Sequence, residues 1–173
     1  SARMQEPGGA GPWPPGDKVD VWNHVEAAMA MLVGGEVEAA ERAYDWVLEV
    51  QRPDGSWPMK IVDGIIEDHS GATNMSAYLA VGVWHHWLVR QDRGFVEKFW
   101  PAVRSGLDWV VSMQLPFGGI AWSREWRDAR PGKINAEALI AGSSSIVQSL
   151  AAGRALAISP RMCRRPCFAC ASA

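Results

Sequence analysis

The chain has 173 residues, 48% of them hydrophobic and 21% charged, with a formal net charge of −2. That balance belongs to a globular domain long enough to bury a core, and it leaves no electrostatic case for a nucleic-acid or anionic-membrane partner. No apolar run reaches the roughly 20 residues of a membrane span.

Residues 1–19 read as an extended, poorly ordered N-terminal arm, rich in Gly and Pro from Gly8 to Gly16 and without the basic and apolar parts of a secretory signal. The first helix is expected over 21–33, where Ala, Met and Leu dominate, and Gly34-Gly35 stops it. A second is expected over 36–50, with Val37, Ala40, Tyr44, Val47 and Leu48 on one stripe. Pro53-Asp54-Gly55 ends it in a turn. Residues 58–72 read as a loop with a short hairpin around Asp63-Gly64. Thr73 or Asn74 offers an N-cap for a helix over 75–89. The next helix runs over 94–113 with Phe95, Phe99, Val103, Leu107 and Val110 as its stripe; Pro101 either kinks it or marks its true start. Residues 116–134 read as loop, and a fifth helix is expected over 135–157. The predicted fold class is therefore all-α.

Ten tryptophans are spread along the chain, from Trp13 to Trp126. Most are expected in a thick helical core, the rest on an aromatic-lined pocket. All three cysteines, Cys163, Cys167 and Cys170, fall in the last eleven residues, so the body does not depend on disulfides and a cytoplasmic location is expected. Their spacing is that of an iron–sulfur site in radical S-adenosylmethionine enzymes, but no barrel follows it. No metal and no cofactor is expected. The tail from 158 to 173 loses helical periodicity and reads as disordered or as a frameshifted end.

An internal repeat organises the middle. Asp45-Trp46 recurs as Asp108-Trp109 and Gln51 as Gln114, both 63 residues on. Each Gln is followed by a Gly-containing turn and a Trp, Trp57 in the first copy and Trp122 in the second. Asn23, Asn74 and Asn135 open similar helices. The unit is a helical hairpin of about 50–60 residues, seen twice and begun a third time. Such hairpins bury their apolar faces only by stacking. The Gln is expected to satisfy orphan carbonyls at its own helix end, and the Trp to lock the turn onto the next hairpin.

Stacked antiparallel hairpins start alternate helices at the same end. One rim should therefore collect Asp20, Trp22, His24, Glu26, Asp54, Trp57, Glu67, Asp68, His69, Trp122, Glu125 and Glu137. The catalytic candidates are the carboxyl groups of Glu26, Asp68 and Glu137. The substrate-binding candidates are Trp22, His24, Trp57, Asn74 and Trp122. Carboxyl groups beside aromatic faces suit two chemistries: protonation of an alkene or epoxide with the cation held over aromatic rings, or glycoside cleavage by two carboxyl groups with Trp stacked on sugar. Acidic residues at helix starts also simply complement the helix dipole. Glu26, one turn into an apolar helix, is the foremost candidate for a general acid. His85 and His86 are adjacent and point to different faces. Ser143 to Ser145 suit close helix packing rather than nucleophilic chemistry.

The stretch from Ala43 to Trp57 resembles the Gln–Trp repeat of squalene-hopene-type terpenoid cyclases, relatives of the protein prenyltransferases. Trp22 to Ala30, Thr73-Asn74, Ala77 to His86, and Gly142 to Ile146 are similar to a bacterial group labelled "prenyltransferase". The resemblance covers about residues 20–157. It implies an (α/α)6 toroid of six hairpins around a cavity, of which this chain would hold two and a half, as an N-terminal fragment. It also implies an isoprenoid-type lipid in that cavity, although the cyclase Asp-x-Asp-Asp and the Asp-Asp-x-x-Asp of other terpene synthases are both missing. Two other readings stay open: a six-hairpin carbohydrate-active protein of glycosidase type, and a non-catalytic fragment or interaction module. A small-molecule or lipid-like partner is expected. Whether the chain is an enzyme is not decided by its residues.

Overall fold

The computed structural model describes residues 2–12, 14 and 16–158. Among these residues, six α-helices carry the fold: α1 Val21–Val33, α2 Val37–Glu49, α3 Thr73–Ala77, α4 Leu79–Arg90, α5 Arg93–Ser112 and α6 Ile140–Ile158. Five short strands accompany them: β1 Lys60–Val62, β2 Ile65–Asp68, β3 Gly71–Ala72, β4 Ser123–Arg127 and β5 Arg130–Asn135. The chain is predominantly helical but not all-α. No helix among the described residues is long and apolar enough to cross a membrane.

Helices α1, α3–α4 and α6 pack side by side in one layer, with α2 against α1 and α5 against α3, α4 and α6. The core lies between the layers. Val25 and Ala28 of α1, Tyr44 and Val47 of α2, Val83 of α4 and Phe99 of α5 are all fully buried. A smaller cluster around Trp109, Val110, Met113, Ala121 and Ile146 seats α6. Four of the nine described tryptophans are buried (Trp46, Trp57, Trp87 and Trp109), and Trp84 and Trp100 are half-buried against the core.

The first two helices form where the pattern puts them. Asp20 caps α1, accepting from the Asn23 amide at 2.9 Å. The expected helix over 75–89 is divided at Tyr78, where the bonds tighten to i−3: the Tyr78 amide donates to Met75 at 3.2 Å and Val81 to Tyr78 at 3.0 Å. Thr73 does not cap this helix. Ala72 holds the cap position, and the Thr73 hydroxyl donates to the carbonyls of Ala121 (2.8 Å) and Trp122 (3.0 Å). Pro101 lies inside an unbroken α5, which Asp92 caps through the Phe95 amide at 3.1 Å.

The expectation that fails is helix from 135 and loop from 123. Strand pairing takes these residues instead: β4 and β5 run antiparallel with Ser123 opposite Asn135 and Arg124 opposite Ile134. Asp128 and Ala129, both at positive φ, make the tight turn between them. Strand β3 adds a third member beside β4. The hairpin at Asp63-Gly64 is real, with both turn residues at positive φ (47° and 75°) between β1 and β2.

The N-terminal arm is docked rather than loose. The Gln5 amide donates to the Gly9 and Ala39 carbonyls (3.0 and 2.8 Å), and Ala10 and Val19 are buried. The cysteine tail lies outside the described residues.

Gln51 does more than serve its own helix end. Its amide donates to Gly55 at 3.1 Å and then crosses to α5, reaching the Ala102 carbonyl and the Ser105 hydroxyl at 3.0 Å each. Trp57 is 1% exposed; its indole N–H donates to the Val47 carbonyl at 2.8 Å and its ring lies against Gly106. Both repeat residues are thus spent on joining one hairpin to the next.

Candidate functional site

The helix starts and the strands meet at one end of the molecule. Val19, just before α1, forms a bridge with Ile61 of β1 (2.7 and 3.0 Å). Strand β3 runs directly into α3 and pairs with β4. The Thr73 amide donates to Trp122 at 2.9 Å, and the Trp122 amide donates to Glu137 at 2.7 Å. These bonds bring the starts of α1 and α3 to one rim with the segments that carry Asp68, Trp122 and Glu137.

On the helices of that rim, three side chains form one cluster. Trp22 and Tyr78 stack with ring centroids 4.2 Å apart and an interplanar angle of 11°. Both donate to one oxygen of Glu26: the Trp22 indole N–H at 2.9 Å and the Tyr78 hydroxyl at 3.1 Å, each to Oε1. Partial burial, and then the Glu26 carboxylate, push the Tyr78 phenol up to about 12, so it stays protonated and remains a donor. Trp22 and Tyr78 are half-buried and Glu26 is exposed. Glu26 therefore sits not in a closed apolar pocket but at the edge of an aromatic platform.

The other candidates divide. Asn74, four residues before Tyr78, stands against Gly142 of α6 with its buried Oδ1 lacking a hydrogen-bond partner. Trp122 is 36% exposed. Asp68 is half-buried on β2 and accepts from the Ser70 amide at 2.8 Å. Glu137 is exposed. His24 and Trp57 have been given work inside the fold. His24 is 1% exposed; its Nδ1 accepts from the Gly11 amide at 3.1 Å, and its Nε2–H donates to the Ala43 carbonyl at 2.7 Å. Burial drives the His24 pKa below its ordinary value, so the ring is neutral and ties the arm to α1 and α2. Neither ring nitrogen of His24 is left for a substrate, and Trp57 is buried under α5.

Two rim residues escaped the sequence. Tyr78 was legible from the repeat: Asn74 matches Asn23, which puts Tyr78 within one residue of the level of Glu26 on the neighbouring helix. Arg52 gave no signal beyond following Gln51. Its guanidinium lies 4.4 Å from the Trp126 ring centroid and donates to the His69 carbonyl at 2.6 Å, clamping β4 to the segment after β2. Among the described residues, no group of three His, Cys, Asp or Glu side chains is placed to hold a metal ion.

The sequence matches no family model. It is 48% identical over 156 residues to the endo-(1,4)-3-O-methyl-α-D-mannosidase of Mycolicibacterium hassiacum, an alignment that covers 90% of this chain and 42% of that protein. The chain thus spans less than half the length of this relative. Its fold is similar to a family 76 glycoside hydrolase from a bovine strain of Bacteroides thetaiotaomicron, with a TM-score of 0.58 at 13% identity over 86% of this chain and 36% of the other. These likenesses overturn the resemblance to terpenoid cyclases and prenyltransferases, and with it the isoprenoid lipid as ligand. The physical reason is visible in the Gln51 turn. The Gln–Trp signature records how helical hairpins join, and hairpin-built folds of different chemistry need that joint equally.

Proposed function

We propose that this chain is a portion of a glycoside hydrolase that acts on α-mannosides, with residues 20–157 supplying two and a half hairpins of an (α/α)6 toroid, residues 1–19 an arm docked on them, and 158–173 an atypical cysteine-rich tail. The observation that carries this reading is the 48% identity along 90% of the chain to an endo-mannosidase. The site is in keeping with it: the stacked Trp22 and Tyr78 beside the Glu26 carboxyl group offer an aromatic face and an acid of the kinds that sugar cleavage uses. Glu26, Asp68 and Glu137 are the carboxyl groups from which that pair is drawn. Trp22, Asn74 and Trp122 are the proposed sugar-binding side chains. His24 and Trp57 support the rim from beneath.

The test is direct. The chain is incubated with (1→4)-linked 3-O-methyl-α-mannose oligosaccharides, products are separated by mass, and binding of the same oligosaccharides is measured by calorimetry. Internal cleavage, or saturable binding that Glu26→Gln weakens, is expected. The absence of both cleavage and binding would sink the proposal.

A further inference from the structure

The Glu26 cluster has a feature that a surface carboxylate on a helix does not need. Two aromatic donors from two hairpins converge on the same oxygen, one from α1 and one from the junction of α3 and α4. Both partners donate and neither accepts, so the carboxylate is fixed as a hydrogen-bond acceptor. Both bonds fall on Oε1, while the side chain as a whole is exposed. The stacked Tyr78 covers one face of the half-buried Trp22 indole and sets its plane. A rigid aromatic surface ending in an oriented acceptor is what a pyranose ring recognises. Its C–H face lies on the ring, and an equatorial or axial hydroxyl donates to the acceptor at the edge.

We propose that Trp22, Glu26 and Tyr78 form one saccharide subsite in which Tyr78 is a positioning residue, holding Glu26 to accept a hydroxyl of a mannose ring laid on the indole. This rests on the glycoside reading above and changes one part of it. Glu26 binds as an acceptor, and proton donation to the leaving oxygen falls to another rim carboxyl group, Asp68 or Glu137. Preorganisation is the physical gain: a glutamate already held by two donors loses little freedom when the sugar arrives.

The experiment uses the wild-type chain, Tyr78→Phe, Glu26→Gln and the double variant. Calorimetry with a (1→4)-linked 3-O-methyl-α-mannotetraose is joined by NMR of the Trp22 indole N–H without sugar. Tyr78→Phe keeps the stacked ring and removes only the hydroxyl. It should shift the Trp22 indole resonance and weaken binding about tenfold, the usual size of one hydrogen bond to a charged group. In turnover, KM should rise while kcat stays within about twofold, and the double variant should bind no worse than Glu26→Gln alone, because Tyr78 acts through Glu26. An unmoved indole resonance, or losses that simply add in the double variant, overturns the positioning role. A wild-type chain that binds while all variants bind equally well overturns the subsite alone. A wild-type chain that binds no saccharide overturns the glycoside reading together with it.

Discussion

The turn after α2 and the turn after α5 have the same internal geometry and differ in what covers them. In the first, the Gln51 amide donates to Gly55 at 3.1 Å, and the Gly55 amide donates to Arg52 at 2.9 Å. In the second, Gln114 donates to Gly118 at 3.1 Å and Gly118 to Leu115 at 2.8 Å. Both glycines have a φ of 93°. Yet α5 presses on the first turn, and among the described residues nothing lies within 4 Å of a Cβ placed on Gly118 in the second: Phe117 is 74% exposed, and beside it opens a groove of about 340 Å³ lined by Gly119, Ala138, Ile140 and Val147. The turn is therefore made by its own residues, and docking onto a helix is a separate event. A motif of this kind reports on architecture and is silent on substrate.

Substitutions in the two repeat units should separate the two contributions. Trp57 against Trp122 is expected to give the largest difference. Trp57→Ala empties a fully buried site and removes a hydrogen bond to Val47, at a cost of about 3–5 kcal/mol. Trp122→Ala removes a ring that is 36% exposed and should cost below about 1 kcal/mol. Chemical denaturation of each variant measures both, and equal losses would contradict the asymmetry.

The glycines come next. At both positions a Cβ must adopt a left-handed φ, a strain of about 1 kcal/mol. At Gly118 that strain is all, since a Cβ there meets open space. At Gly55 the added carbon runs into the Ser105 carbonyl of α5, so backbone must move and the loss should reach about 3 kcal/mol. Comparable midpoints for Gly55→Ala and Gly118→Ala would mean that α5 does not hold the first turn.

How much of this was legible follows from where the information sits. The amphipathic stripes of α1, α2 and α5 are local, and so are the turn residues Asp63-Gly64, which is why these elements stand where the sequence put them. Strands β4 and β5 form a local hairpin too, but nothing in their pattern announces it. Ser-Arg-Glu-Trp-Arg carries no alternation of apolar residues, and its second partner, Gly71-Ala72, lies some 50 residues back. The rim was legible as topology, because alternate helices must start together. Its working parts were less so: the repeat sets Tyr78 within one residue of the level of Glu26 but not its stacking on Trp22, and His24 looked free because Gly11, which occupies its Nδ1, belongs to an arm with no periodicity to place it.

Acid should also act on one module more than the other. Trp46 and Trp109 match in the repeat, but Trp46 is backed by His24, with ring centroids 4.6 Å apart, and Trp109 by Gly71. Burial holds the His24 pKa below the ordinary 6.5. The unfolded chain therefore takes up a proton near pH 6.5 that the folded chain refuses, so stability is full above that pH and is lost as pH falls below it. His85 and His86 shift in the same direction through burial. Thermal midpoints should decline from pH 7 to pH 5, and His24→Gln should flatten part of that decline. An unchanged slope in this variant would remove His24 from the account.

The smallest expected difference is the one that bears most directly on the joint. Gln114→Ala loses a single exposed hydrogen bond within its own turn and should cost less than about 0.5 kcal/mol. Gln51→Ala loses the same bond and also the two bonds that cross to the Ser105 hydroxyl and the Ala102 carbonyl of α5, which should cost about 1–2 kcal/mol. Gln51→Glu sharpens the case. The carboxylate keeps the shape but cannot donate to Gly55 or Ala102, so it should be at least as damaging as alanine. At position 114, where the turn faces solvent, the same change should be nearly neutral. If Gln51→Glu were as mild as Gln114→Glu, the amide would be a spacer and not the latch between hairpins.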